Sequence, residues 1–220
     1  SDFLGIMPAQ EMLMRWFIND TSKASQHWRL KGHAQEAFWD WCASWARMAE
    51  MPSDLGCSDD GYVLPKLNIV RHHAEASAVK GADLFGMVDV SATGMHELKR
   101  ETAQARARSV ADLVTSDSEP WVIWCDTDYE ADALAALIPD AGEVRGSHDA
   151  DRKEKNLRAF ADGSLRILIT KPSICGFGLN WQHCARTAFV GRSFSYEAWF
   201  QAVRRFWRFG QTQPVDVHLI

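Results

Sequence analysis

Between residues 121 and 219 short apolar runs alternate with stretches of helical periodicity, an order that few folds accept. The runs WVIWC (121–125), RILIT (166–170), TAFVG (187–191) and VDVHL (215–219), with a shorter one at 143–145, read as strands. Residues 129–137, 152–161 and 196–208 read as helices between them. Strands joined through helices form parallel sheets, because each crossover must carry the chain back to the starting edge, and such sheets are covered on both faces. An α/β domain over 61–220 is therefore expected. A helical, tryptophan-rich segment over 1–60 precedes it, and the turn-rich MPSDLGCSDDG (51–61) serves as linker.

Within the first segment, proline at position 8 opens a helix over 8–19, which the polar NDTSKASQ interrupts. A second helix is expected over 33–50, with Phe38, Cys42, Trp45 and Ala49 on one face and Trp41 and Met48 beside them. Tryptophans at this spacing pack a core rather than offer a platform for nucleobases. Further on, a strand over 64–70 and helices over 74–85 and 95–115 are expected. Asp151, with Glu154 three residues later, is placed to cap the helix that starts at Arg152.

The most chemically pointed stretch is QAVRRFWRFGQ (201–211). At helical spacing Gln201, Arg205 and Arg208 fall within roughly 60° of one another, with Arg204 beside them, while Trp199, Phe200, Val203, Phe206 and Trp207 take the other side. An amide and several guanidiniums in a row suit a polyphosphate or a nucleic-acid backbone. A solvated basic face is the ordinary alternative. Upstream, RILIT runs into KPSICGFGLN, where Gly176, Gly178 and the small Ser173 allow a backbone to approach a ligand closely. The order strand, glycine loop, strand, Gln/Arg helix, strand weighs towards the phosphate reading. Ligands of such sheets bind outside the carboxyl ends of the strands, so the loops after 170 and 191, Thr127 and Gly146-Ser147 are expected to share one rim with the arginine face.

These residues carry a family resemblance. ITKPSICGFGLN resembles the fifth motif of superfamily-two helicases, and QAVRRFWRFGQTQPVDVH resembles the sixth motif of the Swi/Snf-type DNA translocases. The pattern QAxxRxxRxGQ is met at Gln201, Ala202, Arg205, Arg208, Gly210 and Gln211. WVIWCDT and RGSHDADRKEKNLRAF resemble the opening strand and the GS-containing strand end of the second motor lobe, and DDGYVLPKLNIVRHH resembles the strand that crosses into it. The whole looks most like the translocases carried by bacteriophages and prophages. The string SAT at 91–93 also occurs in the family's first lobe, but here it follows the crossover and reads as coincidence.

The resemblance implies a RecA-like C-terminal motor lobe in which Arg205 and Arg208 reach the γ-phosphate of ATP held on a first lobe. Gln201, Gly176 and Gly178 would accompany the nucleotide. Gly146, Ser147, Lys171 and Ser173 would touch DNA phosphates without reading sequence. ATP and Mg2+ would bind mainly to the first lobe, since no GxxxxGK[ST] loop and no acidic pair ending an apolar strand occurs in these 220 residues. The chain then reads as the tail of lobe one plus most of lobe two, inactive alone.

Other features set bounds. A net charge of −5 argues against a general nucleic-acid coat and leaves room only for a local basic rim, for which Arg145, Arg152, Lys153, Lys155 and Lys171 are candidates. Five cysteines without a CxxC pair suggest neither zinc nor a disulfide framework, and hence a reducing compartment, while the resemblance implies a cytoplasmic, DNA-associated protein of bacterial or phage origin. No run nears the roughly 18 apolar residues of a membrane span. His72-His73 would point to opposite faces of a strand, so no metal site is expected there. Cys125 with His148 and His183 lacks an oxyanion-hole signal. The remaining alternatives are a non-catalytic nucleic-acid or protein adaptor of the same fold and a dinucleotide-binding oxidoreductase, the latter opposed by the late position of GFGLNW.

Overall fold

The computed structural model describes residues 1–20, 27–74, 92–175, 178–193 and 195–220. The helix expected over 74–85, from residue 75 onward, and Gly176 lie outside the described residues. Two compact units are present, Ser1–Asp59 and Asp60–Ile220. Among the described residues no helix is long and apolar enough to cross a membrane.

In the first unit α1 (Ala9–Trp16) is shorter than the sequence suggests and is followed by β1 (Phe17–Asp20), which pairs antiparallel with β2 (His27–Leu30). The helix stops because Lys31 takes its last carbonyls. The Lys31 amide donates to Trp16 O at 2.8 Å, and its ammonium to Met14 O and Arg15 O at 2.9 Å each. Helix α2 (Gln35–Trp45) ends five residues early, leaving Met48 and Ala49 exposed. Trp16, Ala34 and Phe38 form the small core, with the Trp41 ring tilted against Trp16 at 4.4 Å. Trp39 faces solvent, so the tryptophans do not act as one group.

The second unit holds a six-stranded, all-parallel sheet flanked by helices, the α/β class that the alternation demands. Its strands are β3 (Leu67–Arg71), β4 (Trp121–Trp124), β5 (Gly142–Val144), β6 (Ile167–Thr170), β7 (Arg186–Phe189) and β8 (Val215–Leu219), in the order β3-β8-β7-β4-β6-β5. Strand alternation divides the core between the two faces. Trp121 and Ile123 pack with Ala107 and Val110 of α4 (Ala103–Thr115) and Leu134 of α5 (Asp128–Leu137). Val122 and Trp124 pack with Phe160 of α6 (Ala150–Ala161) and Val203 of α8 (Tyr196–Val203).

Two local expectations change. The single helix over 95–115 is two, α3 (Ala92–Glu101) and α4, separated at Thr102, whose hydroxyl donates to Leu98 O at 2.7 Å. Helix α6 is capped by Asp149, which accepts from the Arg152 amide at 2.8 Å, and Asp151 lies within its first turn. His72 meets His218 across the edge pair β3–β8, with Nε2 and Nδ1 2.8 Å apart. Among the described residues no group of three potential ligands could hold a metal.

A buried ion pair locks the start of α5. Glu130 is fully buried and accepts from the amides of Asp126 and Thr127 at 2.8 and 3.0 Å and from Arg106 Nη1 at 2.8 Å. Arg106 also donates to the carbonyls of Val190 and Lys99. Gly191 has no side chain because a Cβ there would stand on the Glu130 carboxylate.

Candidate functional site

Helix α8 begins at an N-cap, Ser195 Oγ accepting from the Ala198 amide at 3.1 Å, and ends at Val203 rather than Arg208. Beyond it the amides of Arg205 and Phe206 bond only three residues back, at 3.1 and 3.0 Å, and that of Arg208 two residues back, to Phe206 O at 3.1 Å. Gln211 draws the chain away. Its Nε2 donates to the carbonyls of Gln182, Cys184 and Phe206 at 3.0, 3.2 and 3.3 Å, and its Oε1 accepts from the amides of Thr212 and Gln213 at 3.0 Å each. One buried side chain thus supplies five bonds that straight helix could not, and the guanidiniums are brought together by a turn, not by helical spacing.

The turn builds a cleft of about 480 Å³ walled by Gly178, Arg204, Arg205, Arg208 and Phe209. Arg205 is only 8% exposed, contrary to its expected place on an open face. Its Nη1 donates to Leu179 O at 2.8 Å and its Nε to Gln201 O at 3.1 Å, while its own carbonyl accepts from the Trp181 amide at 3.0 Å. It therefore ties the helix end to the loop after Gly178. Gln201 Oε1 lies 3.4 Å from Arg205 Nη2, so Gln201 steadies Arg205. Arg208 Nη1 reaches the same Leu179 carbonyl at 3.5 Å, and Arg204 lies over the rings of Phe200 and Trp207. Among the described residues no carboxylate pairs with any of the three arginines. Burial, and then the charge of Arg208, hold the Arg205 guanidinium below its usual range. Two cations sharing one carbonyl make a site that an anion would stabilise.

The aromatic side of the motif is only partly a core. Phe206 and Val203 are buried, Trp199 and Trp207 half-buried, and Phe200 exposed. Trp207 Nε1 donates to Pro65 O at 2.7 Å. Phe206→Ala is accordingly expected to cost about 3–5 kcal/mol and Trp207→Ala less, read as the shift in urea unfolding; the reverse order would refute this assignment of the anchor.

The remaining candidates lie elsewhere. Helix α8 runs back from the carboxyl end of β7 to the amino end of β8, so the arginine turn sits towards the amino ends of the strands, as its bonds to Pro65, Gln182 and Cys184 show. Gly146 and Ser147 follow β5, and Lys171 and Ser173 follow β6, its parallel neighbour, so these four share the opposite, carboxyl rim. The single rim expected from sequence is thus two sites. Ser173 belongs to the one-turn helix α7 (Pro172–Cys175) and is exposed, as are Gly146 and Ser147. Lys171 is paired with Asp128 at 2.9 Å, and that hydrogen bond, with the lysine's charge, keeps the Asp128 carboxyl below its usual range. Arg145 is held by Asp132 and Glu143, so the rim is less positive than its lysines and arginines suggest. Cys125 offers no nucleophile, since burial, then the charge of Glu130, pushes its thiol up to about 12.

Sequence reasoning missed Phe209 and Tyr62. Their rings stack at 5.2 Å beside the cleft, and nothing in either local pattern says that they meet.

No family model and no curated protein matches the sequence. Among solved structures the chain is similar to the C-terminal part of the Fun30 ATPase domain, at 19% identity over 52% of this chain and 40% of that one, with a TM-score of 0.46. It is also similar to the C-terminal domain of the DEAD-box protein Dbp5, at 12% identity over 52% of this chain and 69% of that one, with a TM-score of 0.45. The chain thus matches two fifths of the length of the first of these structures.

Proposed function

We propose that the Asp60–Ile220 unit is the second, RecA-like lobe of an ATP-driven DNA translocase of the Swi/Snf type, and that its arginine cleft receives the terminal phosphates of ATP bound to a first lobe of the same polypeptide. The supporting observation is the convergence of Arg205 and Arg208 on Leu179 O with no carboxylate to neutralise them. Phosphoryl transfer spreads negative charge over the equatorial oxygens, and a planar guanidinium meets it with two donors. Arg208, loosely held at 3.5 Å, can turn towards a phosphate, while Arg205 keeps the cleft wall in place. Magnesium on the first lobe would neutralise the remaining phosphate charge.

Gly146, Ser147, Lys171 and Ser173 would follow the DNA backbone through amide, hydroxyl and ammonium donors, without sequence preference. The chain from Lys171 to Trp181 starts at that rim and reaches the arginine turn, where Leu179 O and the Trp181 amide bond Arg205. This connection supports coupling between nucleotide and DNA. Residues 1–60 would trail from the first lobe.

The test is ATP hydrolysis with and without duplex DNA. The 220-residue chain alone should give none, and the two-lobed protein should give DNA-stimulated turnover. Steady hydrolysis by the purified chain, abolished by a substitution within it, would overturn the proposal.

A further inference from the structure

Phe209 forms one wall of the arginine cleft and is 58% exposed, and Tyr62, 51% exposed, stacks on it at 5.2 Å with 30° between the rings. Two stacked rings left in solvent beside three guanidiniums are unlike the isolated apolar residues common on surfaces. The backbone holds Phe209 in this position. Gln182 Nε2 donates to Phe209 O, and Gly210 follows at φ +91°, where an added Cβ would stand 2.6 Å from that nitrogen. Asn180 Nδ2 donates to Gln182 Oε1 at 3.3 Å, which leaves the exposed Asn180 Oδ1 without a partner among the described residues.

An aromatic face, neighbouring cations and an amide acceptor make up the chemistry that recognises a nucleobase with its phosphates. We infer that Phe209, steadied by Tyr62, stacks on the base of the nucleotide whose phosphates enter the arginine cleft, and that Asn180 Oδ1 accepts from the exocyclic amine of adenine. The inference rests on the phosphate reading of that cleft. It adds that the second lobe itself selects the nucleotide. Guanine offers a carbonyl at the corresponding ring position and would present an acceptor to an acceptor.

The experiment titrates the 220-residue chain with tripolyphosphate, ATP and GTP, following backbone resonances of Gly178, Arg208 and Gly210 by NMR at millimolar ligand. ATP should bind about tenfold more tightly than tripolyphosphate, from stacking on one ring, and more tightly than GTP. In Phe209→Leu, which keeps apolar volume and removes the π-face, the ATP-to-tripolyphosphate ratio should fall to about one. Tyr62→Ala should lower it less, and Asn180→Ala should erase the preference over GTP. Phe209 and Tyr62 are both exposed, and circular dichroism verifies that each variant is folded. If tripolyphosphate shifts none of these resonances, the phosphate reading fails and the base contact fails with it. If tripolyphosphate binds but ATP binds no tighter, or Phe209→Leu keeps the full ratio, the stacking assignment alone is overturned.

Discussion

Arg208→Ala in the two-lobed protein is expected to lower ATP turnover about 10³-fold or more while duplex binding persists, the effect of removing a guanidinium that meets transferring phosphate. Arg208 is the cleanest residue for this test. Among the described residues its guanidinium bonds only to Leu179 O, at 3.5 Å, so truncation leaves the turn almost as it was. Arg205→Ala should match the loss of turnover and also lower the unfolding midpoint, because the half-buried Leu179 carbonyl loses its 2.8 Å donor. Arg204, spread over Phe200 and Trp207, should matter less to turnover. Measuring turnover, duplex affinity and thermal unfolding for the three variants separates chemistry from packing. A folded, DNA-bound Arg208→Ala protein with undiminished turnover would remove the motor role from this cleft and leave the adaptor reading in its place.

Glu130→Ala is expected to destabilise the second unit by about 3–5 kcal/mol, measured by urea unfolding of the 220-residue chain. The substitution would leave Arg106 buried without its counter-charge and the amides of Asp126 and Thr127 without their acceptor. Gly191→Ala attacks the same network from the other side by driving a methyl group into the carboxylate. A loss under about 1 kcal/mol for Glu130→Ala would mean that the pair merely breaks even against solvent. Because the network joins α4, the start of α5 and the end of β7, its failure should appear as one cooperative loss rather than local fraying.

What could be read from sequence followed the range of the forces involved. The strands were legible because runs such as Trp121–Trp124 must be apolar on both faces to lie inside a covered parallel sheet. The motif residues Gly178, Arg205 and Arg208 were legible as a group, and the structure brings them to one cleft. Their setting was not legible. Helix α8 ends where Gln211 finds carbonyls of Gln182 and Cys184, and no local propensity records a partner so far along the chain. Arg205 was read as exposed because periodicity counts charge as surface, whereas the Leu179 carbonyl gives the buried guanidinium a partner. The hairpin β1–β2 was hidden for a similar reason, since Lys31, fifteen positions beyond Trp16, closes the helix that precedes it. In α6 the error was one of register: Asp151 was read as the cap, and the chain places the cap two residues earlier, at Asp149, whose backbone is extended and whose carboxylate accepts from the Arg152 amide.

The place of β8 in the sheet has a consequence for how the unit is made. It lies between β3 and β7, so among the described residues the first strand of the sheet pairs with the rest of the sheet only through the last, with Asn68 and Asp216 bonded across 148 positions. During synthesis β3 therefore leaves the ribosome with no partner and must wait, edge open, until nearly the whole unit has followed it. A chain stopped at residue 214 would lose more than its last six residues: β3 would be orphaned, and the β7 edge bared. The window for misassembly lies between those two moments, and a chaperone that shields an unpaired strand would act on β3.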